Sequence, residues 1–381
     1  MEIYTGEKAA ELYDGDWFPE ETLDAIKEYS VAIKGPLTTP VGRGFRSVNV
    51  TLRETFDLYA NVRPVVSMPG TRARYDDVDI ITVRENTEGL YCGVEWHPVP
   101  PAVRDAFDTH PKMKMFADVS NDNLAISTRI FPRAGCRAIL RDAFEYAKKH
   151  GYKSVTICEK PNVLRETSGM MEEVAREVQK YYPDIEHWST NIDAQMMWLT
   201  KNPEDYGVIV AGNMFGDIIS DGFAGLVGGL GFAASANIGK EVGVFEPTHG
   251  SAPKYFKLDP PIVNPIAMIL SAAMLVDHVG ETEKAKRMRD AVAAGDGALS
   301  TWSIRSASMM RKSSTSEPSG ATAWARMPIP PRARSAEVSS TRRAPLTSGG
   351  DDRQRLAGEP RLRRRGRRRL LLRRLREYQN T

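Results

Sequence analysis

Asp217 and Asp221 stand one helical turn apart in the run Asn213-Met-Phe-Gly-Asp-Ile-Ile-Ser-Asp221. On a helix this spacing puts both carboxylates on one face. Unpaired, they would repel each other, so a cation is expected between or in front of them. A divalent metal is the obvious candidate, because hard cations take carboxylate oxygens. A solvated polar face explains most isolated Asp-x-x-x-Asp pairs, but the surroundings here favour the metal. An apolar run, Gly207-Val-Ile-Val-Ala211, precedes the pair, and Gly225, Gly228, Gly229 and Gly231 follow it. That pattern reads as the C-terminal edge of a sheet, where α/β proteins place their sites. Asp193, after a weakly strand-like stretch, is a further candidate metal ligand.

Four arginines sit near polar turns. Arg46 and Arg53 flank Ser47-Val-Asn49, and Arg63 and Arg84 follow. Guanidinium forks bind carboxylates bidentately. Several converging would suit a ligand with more than one carboxylate, with Ser47 and Asn49 adding hydrogen bonds. Surface ion pairing is the competing account of each arginine taken singly. Lys160 ends a strand beside Asn162 and can act as a general acid or base if its pKa is lowered. Tyr91, near Arg84 and Glu88, is a candidate proton donor. Taken alone, each of these two is better explained by a structural role. The loop His249-Gly-Ser-Ala-Pro-Lys-Tyr255 has small residues that let a ligand approach the backbone, and Lys254 could meet a phosphate. No GxGxxG followed by an acidic residue is found, so a dinucleotide would bind in another way.

These groups need a frame. The pattern predicts helices over 21–29, 48–60, 137–150, 168–180, 217–226 and 265–279, the last apolar enough to be buried. It predicts strands over 31–33, 78–83, 155–158, 208–211 and 242–245. Residues 96–123 contain Pro and His and are weakly periodic, so an arm or long excursion is expected there. Alternating strands and helices argue for a mainly parallel sheet.

The chain has 381 residues, enough for two ordinary domains, and 41% hydrophobic content supports a core. Cys92, Cys136 and Cys158 share no metal-ligand spacing, and their odd count predicts reduced thiols in a cytoplasmic setting. No run is apolar enough to span a membrane, and no signal peptide is expected before Met1. The net charge of +3 hides two unlike parts. Residues 295–381 carry 20 Lys+Arg, all but one of them arginine, against 7 Asp+Glu, a net of +13. The totals of 52 basic and 49 acidic residues leave 32 and 42 for residues 1–294, a net of −10. The basic tail admits three readings: a run for nucleic acid or a membrane surface, disorder, or a change of reading frame near Gly295 in a GC-rich gene.

Several segments together resemble the isocitrate/isopropylmalate dehydrogenase family of metal-dependent β-decarboxylating dehydrogenases. They are Ile33-Lys-Gly-Pro-Leu-Thr-Thr-Pro, Arg46-Ser-Val-Asn-Val-Thr-Leu-Arg53, Asp57-Leu-Tyr-Ala-Asn-Val-Arg-Pro64, Arg84-Glu-Asn-Thr-Glu-Gly89, Gly212–Gly231 and Phe245-Glu-Pro-Thr-His-Gly-Ser-Ala-Pro253. The resemblance runs from Met1 to about Ala294. It implies the family's two-domain α/β fold. Residues 1–58 and 228–294 would form a large cofactor domain, and 59–227 a small substrate and dimer domain. Ser47 and Asn49 look like the isocitrate-using members, where isopropylmalate enzymes carry an apolar residue. By resemblance, Ser47, Asn49, Arg53, Arg63 and Arg84 bind isocitrate. Asp217 and Asp221 hold magnesium or manganese together with Asp193 of a second subunit, in a homodimer with shared sites. Tyr91 and the second subunit's Lys160 handle protons. Thr38, the loop His249, Gly250, Ser251, Ala252, Pro253, Lys254, Tyr255, and Asn264 hold the cofactor. Lys254-Tyr255 is similar to NADP-using members. The implied reaction is oxidative decarboxylation of isocitrate to 2-oxoglutarate, a step of the tricarboxylic acid cycle. Homoisocitrate and 3-isopropylmalate are the alternative substrates. Ser47 also matches a serine phosphorylated in some bacterial members.

The resemblance is incomplete at both ends. Family members begin with a strand and a Gly-Asp-Gly-Ile-Gly-Pro-like turn, and continue past Ala294 with a helix, a Gly-Asp loop and a closing helix. The expectation is therefore a missing N-terminal strand unit and an atypical C-terminal tail. That leaves open a truncated, inactive homologue with a nucleic-acid-binding tail; the acidic body and full set of site residues argue against it.

Overall fold

The computed structural model describes residues 1–37, 47–71, 73–256 and 263–299. Ten strands are present among the described residues: β1 (Val31–Ile33), β2 (Ala60–Val66), β3 (Asp79–Glu85), β4 (Glu95–Trp96), β5 (Ile126–Ser127), β6 (Ser154–Glu159), β7 (Glu186–Asn191), β8 (Val208–Ala211), β9 (Ala234–Ile238) and β10 (Gly243–Pro247). Eight of them form one sheet in the order β1-β10-β9-β2-β3-β8-β6-β7, and β4 pairs with β5 apart from it. Four of the seven pairings in the large sheet are parallel. The three that involve β2 or β9 with their neighbours are antiparallel. The expectation of a mainly parallel α/β sheet holds, with β9 and β2 as the antiparallel insert.

Helices cover both faces. Arg133–His150 and Thr167–Gln179 lay Ile139, Leu140, Phe144, Met171 and Val174 against Val83, Val155, Ile157 and Val210. On the opposite face Asn213–Ala224 packs Phe215, Ile219 and Phe223 against Val65, Ile80 and Ile209. Strand side chains alternate between faces. Asn61, Arg63 and Val65 therefore share a face of β2, and Ile80, Thr82 and Arg84 share the matching face of β3. Register sets Asn61 opposite Arg84 and Val65 opposite Ile80. Along that one face the side chains change from apolar to polar as β3 approaches its C-terminal end.

Several boundaries differ from the sequence expectation. The helix expected over 48–60 ends at Thr55, and Ala60 already begins β2. Strand β2 went unrecognised because Pro64 interrupts it. Pairing with β9 stops at Val62, which leaves Pro64 at an open edge where proline is tolerated. Arg63 and Arg84 consequently lie on strands rather than turns. The excursion at 96–123 contains a helix, Pro101–Asp108, and two 3-10 turns, closed off by the β4–β5 pair. Its Arg104 is buried and bonds Asp108 and the carbonyls of Phe116 and Val119. The apolar helix Ile266–His278 buries Ile266, Ala267, Ser271 and Ala273 and leaves much of the rest partly exposed. A further helix, Thr282–Leu299, packs on it and runs past Ala294, where the tail was expected to begin. The segment 300–381 lies outside the described residues.

Candidate active site

The carboxylate helix, Asn213–Ala224, starts directly after β8, with Gly212 as its N-cap residue. Asp217 and Asp221 project from it toward β2 and β3. The cation expected between them is present within the chain. Arg63 Nη1 lies 3.0 Å from Asp217 Oδ1 and 3.3 Å from Asp221 Oδ1, and donates to Ser220 Oγ at 2.7 Å. Arg84, 1% exposed, pairs with Asp217 Oδ1, and its Nε and Nη2 donate to Asn213 Oδ1 at 3.0 and 2.7 Å. Tyr91 donates from its hydroxyl to Asp217 Oδ2 at 2.7 Å, and the Arg84 guanidinium lies 5.1 Å over its ring.

Close approach of helix and strand depends on Gly216. A Cβ there would lie 2.7 Å from Arg84 Cγ and 2.8 Å from Arg84 Cβ. Any side chain would push the arginine away from Asp217.

Electrostatics follow from this crowding. Burial, then the neighbouring Arg63, push the Arg84 guanidinium below the usual arginine range, and Asp217 opposes them. Burial likewise lowers Arg53, against the pull of Glu246, with Arg63 adding to the lowering. Burial alone would raise Asp217, but Arg84 and Arg63 outweigh it and hold the carboxyl below its ordinary value. Asp221 goes the other way, raised by burial and by Asp217 despite Arg63. Tyr91 is raised by burial and by its bond to Asp217, so its hydroxyl keeps its proton at neutral pH.

A polar seam runs from this cluster across the sheet. Arg63 Nε donates to Asn61 Oδ1 at 2.7 Å, and Asn61 Nδ2 donates to Asn237 Oδ1 at 2.6 Å and Ser235 Oγ at 2.9 Å. Asn86 Nδ2 also donates to Asn237 Oδ1, at 3.0 Å. Asn237 Nδ2 donates to Glu246 Oε1 at 2.9 Å. Lys34 meets Glu246 Oε2 at 2.5 Å, and Arg53 Nη2 lies 3.5 Å from Glu246 Oε1. Asn49 Oδ1, Arg53 Nε and Thr248 Oγ1 are buried without a hydrogen-bond partner among the described residues. Native interiors rarely leave such groups unsatisfied, and a ligand is one thing that satisfies them. Ser47 is the N-cap residue of the helix Val48–Thr55, yet its side chain makes no capping bond.

Lys160 and Asp193 form a separate pair. Lys160 follows β6, Asp193 lies in the first turn of the helix Ile192–Leu199, and the two side chains are ion-paired. No hydrogen bond or ion pair joins them to Asp217, Asp221 or Tyr91 among the described residues. The expected metal set is therefore split within one chain, and no cluster of three metal-ligating side chains occurs among the described residues. Asp217 and Asp221 nonetheless fit a share of a hard-cation site. They offer carboxylate oxygens to one point, and a cationic nitrogen already occupies it.

The candidate cofactor loop 249–255 follows β10 in the chain. His249 Nδ1 lies 2.9 Å from the Gly250 carbonyl oxygen. Gly250, Ser251 and Ala252 are exposed, Ala252 has φ 44°, and a short helix begins at Pro253. Tyr255 is exposed. Asn264 Oδ1 accepts from Ile266 N at 3.0 Å, a helix-starting contact, and its Nδ2 lies 3.1 Å from where a Cβ on Gly231 would stand. Thr38, Arg46 and the Lys254 side chain lie outside the described residues.

Sequence reasoning missed the groups that aim the arginines: Asn61, Asn213 and Ser220. The available signal was period-2 alternation of Asn61 with Arg63, which puts two polar side chains on one strand face.

Buried arginines are set against two carboxylates at the C-terminal edge of an α/β sheet, a charge arrangement suited to an anionic ligand. Comparison with known proteins names the class. The sequence profile described as isocitrate/isopropylmalate dehydrogenase matches residues 1–319, and the chain belongs to that family. It is 41% identical over 273 residues to an Arabidopsis thaliana mitochondrial protein named isocitrate dehydrogenase [NAD] catalytic subunit 5, covering 71% of this chain and 67% of that one. It is 39% identical over 310 residues to isocitrate dehydrogenase [NADP] of Pseudomonas aeruginosa, covering 75% and 74%. The crystal structure of isocitrate dehydrogenase from Methylococcus capsulatus superposes with TM-score 0.69 at 43% identity, over 79% of this chain and 82% of that one. The chain is thus an oxidoreductase of the β-decarboxylating dehydrogenases, a family that uses a divalent metal and a nicotinamide cofactor.

Proposed function

We propose that the chain catalyses oxidative decarboxylation of isocitrate to 2-oxoglutarate with NADP as acceptor. One observation carries the substrate: Arg63 and Arg84 converge on Asp217, and Arg63 lies close enough to lower the ionisation of both Arg53 and Arg84. Three guanidiniums held together against mutual repulsion suit a ligand with several carboxylates. Ser47 and Asn49, a polar pair, favour isocitrate over 3-isopropylmalate, whose isopropyl group needs an apolar contact.

Asp217 and Asp221 would hold magnesium or manganese, with Asp193 of a second copy completing the set in a shared-site homodimer. The Lys160–Asp193 pair supports this reading, since both groups lie together and apart from Asp217 and Asp221, as groups serving another chain's site would. When bound, the metal supplies Lewis-acid stabilisation of charge on oxygen and the nicotinamide accepts hydride. Arg53, Arg63 and Arg84 fix the substrate carboxylates. Lys160, in its neutral amine form, would take the hydroxyl proton. Tyr91, protonated at neutral pH and aimed at Asp217, donates the proton that completes the product. Lys254 and Tyr255 supply a cation and a hydroxyl for a 2′-phosphate, which supports NADP over NAD.

The test is a rate panel on the purified chain with manganese. Isocitrate with NADP is expected to give the highest rate. A faster rate with homoisocitrate or 3-isopropylmalate overturns the substrate, and a preference for NAD overturns the cofactor.

A further inference from the structure

Glu159 is the last residue of β6, and its side chain is 0% exposed. Its carboxylate accepts from three separate parts of the chain: Gly212 N at 2.8 Å, Ser168 Oγ at 2.7 Å and Arg129 Nη2 at 2.7 Å. Arg129 is held in turn. Its Nη1 donates to Thr167 Oγ1 at 2.9 Å and Ser168 Oγ at 3.0 Å, and its guanidinium lies 4.2 Å over the Phe131 ring and 5.0 Å over Phe215. There is no slack at this point. A Cβ on Gly212 would lie 2.6 Å from Glu159 Oε1, 2.7 Å from Phe131 Cζ and 3.1 Å from Arg129 Nη2.

Two elements of the site meet at this carboxylate. Gly212 immediately precedes the carboxylate helix, whose first residue, Asn213, holds Arg84. Lys160 is the residue after Glu159, and its backbone N donates to Ser168 Oγ at 3.3 Å. A buried ion pair is weak evidence for stability, because well-packed apolar residues in its place are often neutral or better. Fully bonded charge-assisted hydrogen bonds do fix geometry, and a closed polar network rigidifies what it touches.

We propose that Glu159, clamped by Arg129 and Ser168, is a positioning residue that sets the Lys160 turn and the start of the Asp217–Asp221 helix relative to each other. The proposal rests on the reading above, in which Lys160 serves the site of a second copy. One Glu159 side chain then aligns half of its own site and half of its neighbour's.

The experiment uses full-length chains carrying two different tags, co-expressed and purified as mixed dimers. One chain carries Lys160→Met and the other Asp221→Asn. Each mixed dimer holds one intact site and one doubly altered site. Recovery of isocitrate- and NADP-dependent activity above both parents checks the shared-site reading by itself. Glu159→Gln is then added to one chain at a time. In the Lys160→Met chain it touches the helix side of the intact site, and the manganese concentration for half-activity is expected to rise roughly tenfold. In the Asp221→Asn chain it touches the lysine side, and kcat is expected to fall roughly tenfold with the manganese requirement unchanged. If Glu159→Gln prevents folding, Ser168→Ala, which removes one bond to the carboxylate and the bond to Lys160 N, takes its place. Recovery in the parental pair with no effect of the added substitution, or the same effect from either chain, overturns the positioning role. Absence of recovery in the parental pair overturns the shared site and the proposal with it.

Discussion

The arginine–aspartate cluster and the Lys160–Asp193 pair both set opposite charges at the ends of strands, yet they are built in opposite ways. Asp217 receives Arg63, Arg84 and Tyr91, and the two guanidiniums are fixed further by Asn61, Asn213 and Ser220. Lys160 has one side-chain partner among the described residues, Asp193, whose side chain is 69% exposed. The first cluster is preorganised within one chain and covered by a helix. The second holds a largely covered lysine, 21% exposed, against an exposed aspartate. Substrate-anchoring groups gain from rigidity, because ordering them in advance lowers the cost of binding. In the proposed reading, a proton-handling lysine and a metal ligand that complete a neighbour's site gain from being free to re-pair.

Three substitutions sharpen or break this contrast, ranked by their effect on stability. Arg84→Ala should cost about 3–5 kcal/mol, because it strips a buried pair of one partner and leaves Asn213 unsatisfied. The midpoint of urea unfolding reads this directly, and a loss under about 1 kcal/mol would show that pairing does not build the cluster. Gly216→Ala should cost about 1–3 kcal/mol by overpacking against Arg84. Its signature is a raised KM for isocitrate as the guanidinium is displaced; an unchanged KM would mean the helix shifts and the arginine does not. Lys160→Met should stay within about 1 kcal/mol of the parent, because the aspartate it leaves behind is solvent-exposed and methionine keeps the covered stem of the lysine. Turnover should nonetheless fall by roughly 10²–10⁴. A stability loss as large as that of Arg84→Ala would place the lysine pair in the same structural class and remove the contrast.

Much of the site was legible in the sequence, and its limits have physical causes. Strand β8 is a continuous apolar run between glycines and was read to the residue. The Asp217–Asp221 spacing and the arginine set were equally plain. The answer to the carboxylate repulsion was not, because it depends on register: Arg63 reaches Asp217 only once β2 lies beside β3 with Asn61 opposite Arg84. Strand β9, Ala-Ser-Ala-Asn-Ile, was missed because it is small and polar, and its Ser235 and Asn237 serve the seam rather than an apolar core. Glu159 reads from sequence as a charge ending a strand. Its partner Arg129 lies thirty residues away, beyond what local pattern can join.

The polar seam constrains how this sheet can change over generations. Asn61, Asn237 and Glu246 each satisfy a neighbour that is itself buried. Replacing one with an apolar residue strands a donor or acceptor in a dry interior, whereas replacing both members of a bonded pair removes the orphan. Single steps away from the present sequence are therefore steep and paired steps are shallow, so substitutions along the seam should be strongly non-additive. The same bonds that aim Arg63 at its carboxylates make these positions drift together or not at all.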